Sequence, residues 1–152
     1  MMTIQLYTEP VILEVRQKSH LEVQNIADPE ARYNARAGMD KIEEVHRCVS
    51  EGFSQLRRRC LRFLHDDYTT YAADGDTDFP ESFVYDFDLS ERRMIGKAEP
   101  LKDAMHALVV HYALSKFYST VSQADLSNKN SLLALEAGNQ LDELLYTKLP
   151  PR

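Results

Sequence analysis

The sequence predicts a mainly α-helical protein, a bundle of three to four helices with a long amphipathic second helix, a central buried helix and a minor β element near 82–89. Two patterns indicate this fold: apolar residues recur at helical spacing over three long stretches, whereas apolar-polar alternation is confined to short ones. The chain has 152 residues, 43% of them apolar, and no linker rich in serine and glycine, so we expect one domain over 1–152. Turn-forming residues predict an acidic, mobile loop at 66–81.

The first element is expected near 8–16, and its type stays open between helix and strand. The sequence Thr8-Glu9-Pro10 is typical of a helix start, because proline is tolerated in the first helical turn. The residues at 11–16 also fit the two-residue period of a strand.

The long amphipathic helix is expected to begin at Asp28-Pro29, where the carboxylate can cap the helix and proline can occupy its first position. Its apolar residues between Ile42 and Leu64 form a single stripe about 100° wide. Glycine costs about 1 kcal/mol relative to alanine inside a helix, so a bend or break is expected near Gly38. The helix should continue through Gly52.

The opposite face of this helix is basic. Arg47, Arg58 and Arg62 lie within about 60° of one another around the helix axis. The chain carries a net charge of −6, with +3 over 41–65 and −7 over 66–99, so we expect separate basic and acidic surfaces. The negative total argues against free nucleic-acid binding, and DNA contact is expected only indirectly.

The minor β element rests on Phe83, Tyr85 and Phe87, which alternate with more polar residues. A single strand needs a partner for its backbone groups. The two candidates are the extended segment at 3–7 and a neighbouring subunit.

The last two helices differ in pattern. The helix that begins at Glu99-Pro100 is apolar on nearly all sides, which is typical of a helix enclosed by neighbours. The final helix is expected to be capped by Asn128 or Asn130 and to end before Pro150. The apolar faces of the helices together predict this core: Ile42, Val45, Val49, Phe53, Leu56, Cys60, Phe63, Leu101, Leu108, Tyr112, Leu114, Phe117, Leu133, Leu141 and Leu144.

A narrow second stripe on the final helix lies outside its core face. It consists of Leu132, Leu135 and Tyr146. Exposed apolar side chains that cluster are typical of protein contacts, so these three are candidate contact residues for a protein partner.

An acidic triad in the loop matches the start of a calcium-binding EF-hand. Asp74, Asp76 and Asp78 have the spacing of its first three ligands. Phe79 stands where the sharp turn needs glycine, and Tyr85 stands where a bidentate glutamate is needed. We therefore interpret this stretch as a solvated acidic loop.

The histidines and cysteines give no catalytic or metal-binding motif. His106 and His111 are about 140° apart on a helix and cannot chelate one ion from a single face. Cys60 falls on the apolar stripe, while Cys48 lies nearer its rim, where a free thiol would be reachable. We expect no catalytic residues, no cofactor and no metal, and a cytoplasmic protein without a signal peptide or membrane span.

The layout of the chain resembles a known family. A short element, VILEVRQKSHLEV, precedes a long helix, ARAGMDKIEEVHRCVSEGFSQLRRRCLRFL; an acidic aromatic stretch, the helix MHALVVHYALSKFYSTVS and a closing helix follow. This arrangement resembles the small helical head–tail connector (adaptor) proteins of tailed bacteriophages and prophages. The resemblance implies a non-enzymatic, virion-associated assembly protein that forms a homo-oligomeric ring beneath the portal and docks to portal and tail proteins.

The resemblance also gives the charged surfaces a role. In a head-to-tail ring, the basic face with Arg47, Arg58 and Arg62 would meet an acidic surface of the neighbouring copy. The acidic candidates are Asp74, Asp76, Asp78, Asp86 and Asp88. The alternative is a bacterial helical adaptor or regulatory protein that binds a protein partner through the second stripe or the basic face.

Overall fold

A computed structural model of the chain describes residues 2–65, 70–73, 79–88 and 96–146. These residues form five α-helices, short 3-10 turns and a three-stranded antiparallel sheet with the strand order β1-β3-β2. The predicted mainly α-helical fold with a minor β element is confirmed. The loop predicted over 66–81 is wrong in part, because 70–73 and 80–81 belong to strands. The elements in chain order are β1 (Met2–Tyr7), α1 (Thr8–Glu22), α2 (Pro29–Ala35), α3 (Ile42–Cys60), β2 (Thr70–Ala73), β3 (Pro80–Phe87), α4 (Ala98–Thr120) and α5 (Ala124–Tyr146).

The N-terminal region is a strand followed directly by a helix. β1 pairs with β3 along its whole length, so the extended segment predicted at 3–7 supplies the partner of the β element. The next segment, for which the sequence fits both a helix and a strand, is helix α1. Its Val11 and Val15 side chains are fully buried. The Thr8 hydroxyl donates hydrogen bonds to the carbonyls of Pro80 (2.9 Å) and Glu81 (3.0 Å), which fixes the start of α1 against β3.

The prediction of a single long helix that starts at Pro29 is wrong, because this part of the chain forms two helices, α2 and α3. The chain leaves helical geometry after Ala35, near the break expected at Gly38. Polar contacts hold this break: the buried Ser19 hydroxyl accepts the backbone N–H of Ala37 at 2.8 Å. Lys41 Nζ donates to three carbonyls at the end of α2, at 2.6 to 3.1 Å, and satisfies groups that a helix end leaves open.

Helix α4 is the centre of the bundle, as predicted. It packs against α1, α3, α5 and β1, and side chains on several of its faces are buried. Helix α3 remains continuous through Gly52, also as predicted, and directs its apolar stripe at α4 and the sheet.

Most of the predicted core is buried, and three of the four exceptions border open grooves. Ile42, Tyr112, Leu133 and Leu144 are only partly buried. The last three line grooves between helices, so one side of each faces solvent.

The start of α5 differs from the prediction. Ser122 adopts a left-handed conformation with a φ of 61°, and this tight turn lets α5 begin at Ala124. Asn128 and Asn130 therefore lie within the helix and do not cap it. Asn130 is completely buried, because polar partners from other helices receive it.

Candidate functional site

Helices α3, α4 and α5 enclose an open groove of about 830 Å³, named here the α3–α5 groove. Its lining combines cations, hydroxyl groups and apolar side chains, among them Arg58, Lys116, Ser115, Ser131, Leu135 and Tyr146. The basic face of α3 and the second stripe of α5 were predicted as separate contact surfaces. The structure places Arg58 from the first and Leu135 and Tyr146 from the second in this one groove.

Two side chains that follow α3 in the chain, Arg62 and Phe63, position Tyr146 at the end of the groove. Arg62 Nη1 donates a hydrogen bond of 3.4 Å to the Tyr146 hydroxyl, and its guanidinium lies 5.7 Å from the ring centre. The Phe63 ring meets the Tyr146 ring edge-on with a centroid distance of 4.9 Å. These contacts fix an aromatic side chain that is still about half exposed.

Within the described part of the chain, Arg59 forms the one ion pair in the lining of this groove. Its Nε and Nη2 donate to the two carboxylate oxygens of Asp142, at 3.1 and 2.8 Å. Among the described residues, Arg58 and Lys116 have no carboxylate partner. The groove therefore offers two cations to an acidic partner.

Comparisons with protein-family models, with curated proteins and with solved structures found no match to this chain. The side chains of its own surface are therefore the basis for a functional proposal.

The other predicted contact residues that the structure describes do not line the groove. Arg47 pairs with Glu44 on its own helix, and Leu132 is exposed on α5. Asp86 accepts a hydrogen bond of 2.6 Å from the Thr3 hydroxyl, and Asp88 is exposed. Asp74, Asp76 and Asp78 lie outside the described residues.

Basic and acidic candidates meet at one corner of the molecule. The backbone N–H of Asp88 donates to the Phe63 carbonyl at 2.7 Å, directly beside Arg62 in the chain. Asp86 and Asp88, at the C-terminal end of β3, thus adjoin the residues that follow α3. The expectation of two separate charged surfaces does not hold for this part of the chain.

The cysteines are both buried, and the prediction of a reachable Cys48 thiol is wrong. Burial raises the pKa of the Cys48 thiol to about 12, and burial does the same for Cys60. Cys48 points towards the bundle because the buried arc of α3 is wider than its apolar stripe and includes Gly52 and Arg57. The Arg57 guanidinium lies 5.4 Å from the ring centre of Tyr85, so this arginine packs against the sheet rather than facing solvent.

The two histidines of α4 have different partners. His106 Nε2 contacts the Glu14 carboxylate of α1, and His111 Nδ1 lies 3.0 Å from the Asn130 side-chain oxygen of α5. Each histidine therefore connects α4 to one neighbouring helix.

None of the described helices is both long and apolar enough to cross a lipid bilayer.

A polar cluster around Glu22 was not predicted. The Glu22 carboxylate accepts hydrogen bonds from Tyr118 (3.3 Å) and Asn130 (3.2 Å) and pairs with Lys129 at 3.2 Å. The cluster joins the end of α1 to α4 and α5. The sequence gives no signal of it, since Asn130 fits a helix cap there and only the structure places it inside α5.

Proposed function

We propose that this chain is a non-enzymatic assembly protein, similar in role to the head–tail connectors of tailed phages and prophages. It self-associates and docks to portal or tail proteins through the α3–α5 groove. The observation that carries the proposal is the convergence of Arg58, Leu135 and Tyr146, two separately predicted contact sets, on one groove.

The composition of the groove supports a protein contact. Tyrosine and arginine are enriched at the centres of protein interfaces, where an aromatic ring supplies apolar area and guanidinium supplies directed hydrogen bonds. Leu135 and Tyr146 are 53% and 49% exposed, so both have apolar surface left to bury. Arg58 and Lys116 add a positive potential that attracts an acidic surface and orients it.

The acidic surface proposed for the neighbouring copy is the end of β3. Asp88 is exposed there, and Asp86 holds the Thr3 hydroxyl while remaining partly accessible. A contact between this end and the groove of the next copy joins two different patches of the chain, which adjoin each other within one copy. Repeating such a head-to-tail contact closes a ring when the rotation between copies permits it.

Sedimentation velocity over a range of concentrations tests this contact. The double substitution Arg58→Glu with Arg62→Glu should reduce the assembled fraction, and adding Asp86→Lys with Asp88→Lys should restore it. Arg47→Glu is the matched control, because Arg47 is an exposed arginine of the same helix that pairs locally with Glu44. Equal sedimentation of all these variants would contradict the proposal.

The adaptor alternative is favoured by the half-exposed pair Leu135 and Tyr146, which fits the docking of a single partner segment. In that case the chain alone remains monomeric at every concentration. Native mass spectrometry of a mixture with its partner would then give one discrete heterocomplex rather than a ladder of self-assembled species.

A further inference from the structure

A second groove lies between α1, α2 and the turn at Met39–Lys41, and is named here the α1–α2 groove. It measures about 790 Å³. Nine large apolar side chains are exposed in the described part of the chain, and four of them line this groove. These four are Leu13, Leu21, Tyr33 and Met39. Such a concentration marks a contact surface, because exposed apolar residues otherwise occur scattered.

The groove is a fixed consequence of the break between α2 and α3. Ala37 and Gly38 line it where the chain leaves α2. The buried Ser19 hydroxyl holds the Ala37 backbone, and Lys41 Nζ holds the last carbonyls of α2. The two walls therefore keep their separation without a ligand.

The exposed wall of α1 has helical spacing. Leu13, Gln17 and Leu21 follow one another at four-residue intervals, so they lie on one face, with Arg16 and His20 beside them. A stripe with this spacing matches the apolar face of another helix, the mode in which an amphipathic helix lies in a groove.

The polar border of the groove is basic. Arg16, Arg36 and His20 line it, against a single acid, Asp40. Asp40 already accepts a hydrogen bond of 3.2 Å from the Tyr33 hydroxyl. The Arg16 Nε atom is buried and has no hydrogen-bond partner among the described residues, so an acceptor supplied by a ligand would remove the cost of that bare donor.

We propose that the α1–α2 groove binds an amphipathic helix of a partner protein, with its apolar stripe against Leu13, Leu21 and Met39 and its flanking Asp or Glu residues against Arg16 and Arg36. A second copy of this chain is a poorer occupant. A two-fold contact over this face would bring Arg16 and Arg36 close to the same arginines of the other copy. This surface is distinct from the α3–α5 groove, and the proposal does not depend on the one made there.

Fluorescence anisotropy with labelled synthetic peptides and the full chain tests the proposal. The probe is a peptide of about 18 residues, long enough for several helical turns, with leucines on one helical face and glutamates beside them. One matched peptide replaces every glutamate by lysine, and another keeps the composition in scrambled order. The glutamate peptide should bind at least about tenfold more tightly than either control.

Chain variants then locate the binding. Leu21→Ser and Met39→Ser should each weaken the glutamate peptide by about tenfold, because each removes apolar area from the contact. Leu132→Ser is the matched control, since Leu132 and Leu21 are both 63% exposed but only Leu21 lines this groove. Arg16→Gln should reduce the preference for glutamate over lysine, whereas Arg58→Glu should leave peptide binding unchanged. Circular dichroism checks that every variant is folded.

Three results of the peptide experiments would overturn the proposal. They are absence of binding by the glutamate peptide, equal binding of the glutamate and lysine peptides, and an equal loss with Leu132→Ser and Leu21→Ser. Self-association of the wild-type chain that Leu21→Ser and Met39→Ser abolish would likewise overturn it, because the occupant would then be a second copy. If only Arg58→Glu abolishes self-association, the copies meet through the α3–α5 groove, and the α1–α2 groove stays free for the partner helix.

Discussion

Gly52 of α3 lies directly against Val109 of α4. A Cβ atom at position 52 would approach the Val109 carbonyl oxygen to 3.0 Å and its Cγ1 atom to 3.1 Å. One of these neighbours is backbone, so it can give way only if the helix moves. The glycine therefore sets how closely α3 can approach the central helix.

We expect Gly52→Ala to destabilise the protein by about 1 kcal/mol. Alanine gains about 1 kcal/mol in helix propensity, but inserting a methyl group into a packed contact costs about 1–3 kcal/mol. Gly52→Val should cost more, since its side chain is larger and branched. Urea unfolding followed by circular dichroism measures the change, and a Gly52→Ala variant more stable than wild type would show that the two helices can separate.

For Gly138, which is also a helical glycine, we expect alanine not to lower stability. A Cβ atom there would lie 2.6 Å from the Arg59 guanidinium carbon, which is the end of a flexible side chain. Gly138→Ala should therefore displace Arg59 from Asp142 while leaving the helices in place. A partly exposed ion pair contributes about 0–1 kcal/mol, so the gain in helix propensity of about 1 kcal/mol should leave stability unchanged or slightly higher.

A double-mutant cycle checks this displacement. Arg59→Gln and Asp142→Asn, singly and together, give the coupling energy of the pair in the wild-type background. The same cycle in the Gly138→Ala background should give a coupling close to zero. An undiminished coupling energy would contradict the prediction, because Arg59 would still pair with Asp142 in the presence of Ala at position 138.

The fold was largely predictable because it depends on periodicity. The stripe of α3 and the enclosed pattern of α4 follow from the spacing of residues such as Val45 and Leu108, and burial of both is confirmed. The break after Ala35 was not fully predictable, since it depends on a distant hydroxyl, that of Ser19, which accepts the Ala37 N–H. The packing role of Gly52 was equally hidden, because it depends on where α4 crosses.

The candidate site was predictable only residue by residue. Helical period places Arg58 and Tyr146 outside the core, but it does not say that two helices bring them to one groove. The α1–α2 groove was missed for a related reason. Leu13 fits the strand period at 11–16 as well as a helix, and Met39 lies at a break whose geometry no local pattern predicts.

Asn130 should contribute strongly to stability. Its side chain bonds Glu22, His111 and the Leu126 carbonyl, and it is fully buried. Asn130→Ala removes the hydrogen bonds that this fully buried side chain makes to Glu22 and His111, so we expect a loss of about 1–3 kcal/mol in the free energy of unfolding. The control is Asn128→Ala, an exposed asparagine of the same helix, which should change stability by less than about 0.5 kcal/mol.

The two thiols should be unreactive in the folded protein. Burial raises the pKa values of Cys48 and Cys60 to about 12, so only about one thiol in ten thousand is ionised at pH 8. A chromogenic disulfide reagent should therefore react slowly in native buffer, and both thiols should react promptly in guanidinium chloride. Prompt reaction of one thiol in native buffer would contradict the burial of that cysteine.

His46 makes the stability of the protein depend on pH. Its ring stacks on Phe79 with a centroid distance of 4.3 Å, and burial lowers its pKa below the ordinary value of about 6.5, against a smaller opposing effect of Glu43. The unfolded chain then binds the proton more readily than the folded one. The contribution of His46 is complete above about pH 6.5 and is lost as the pH falls through the lowered pKa. Titration of the His46 ring by NMR should give a value below 6.5 that rises in Phe79→Ala, whereas an unchanged value in that variant would assign the shift to other neighbours.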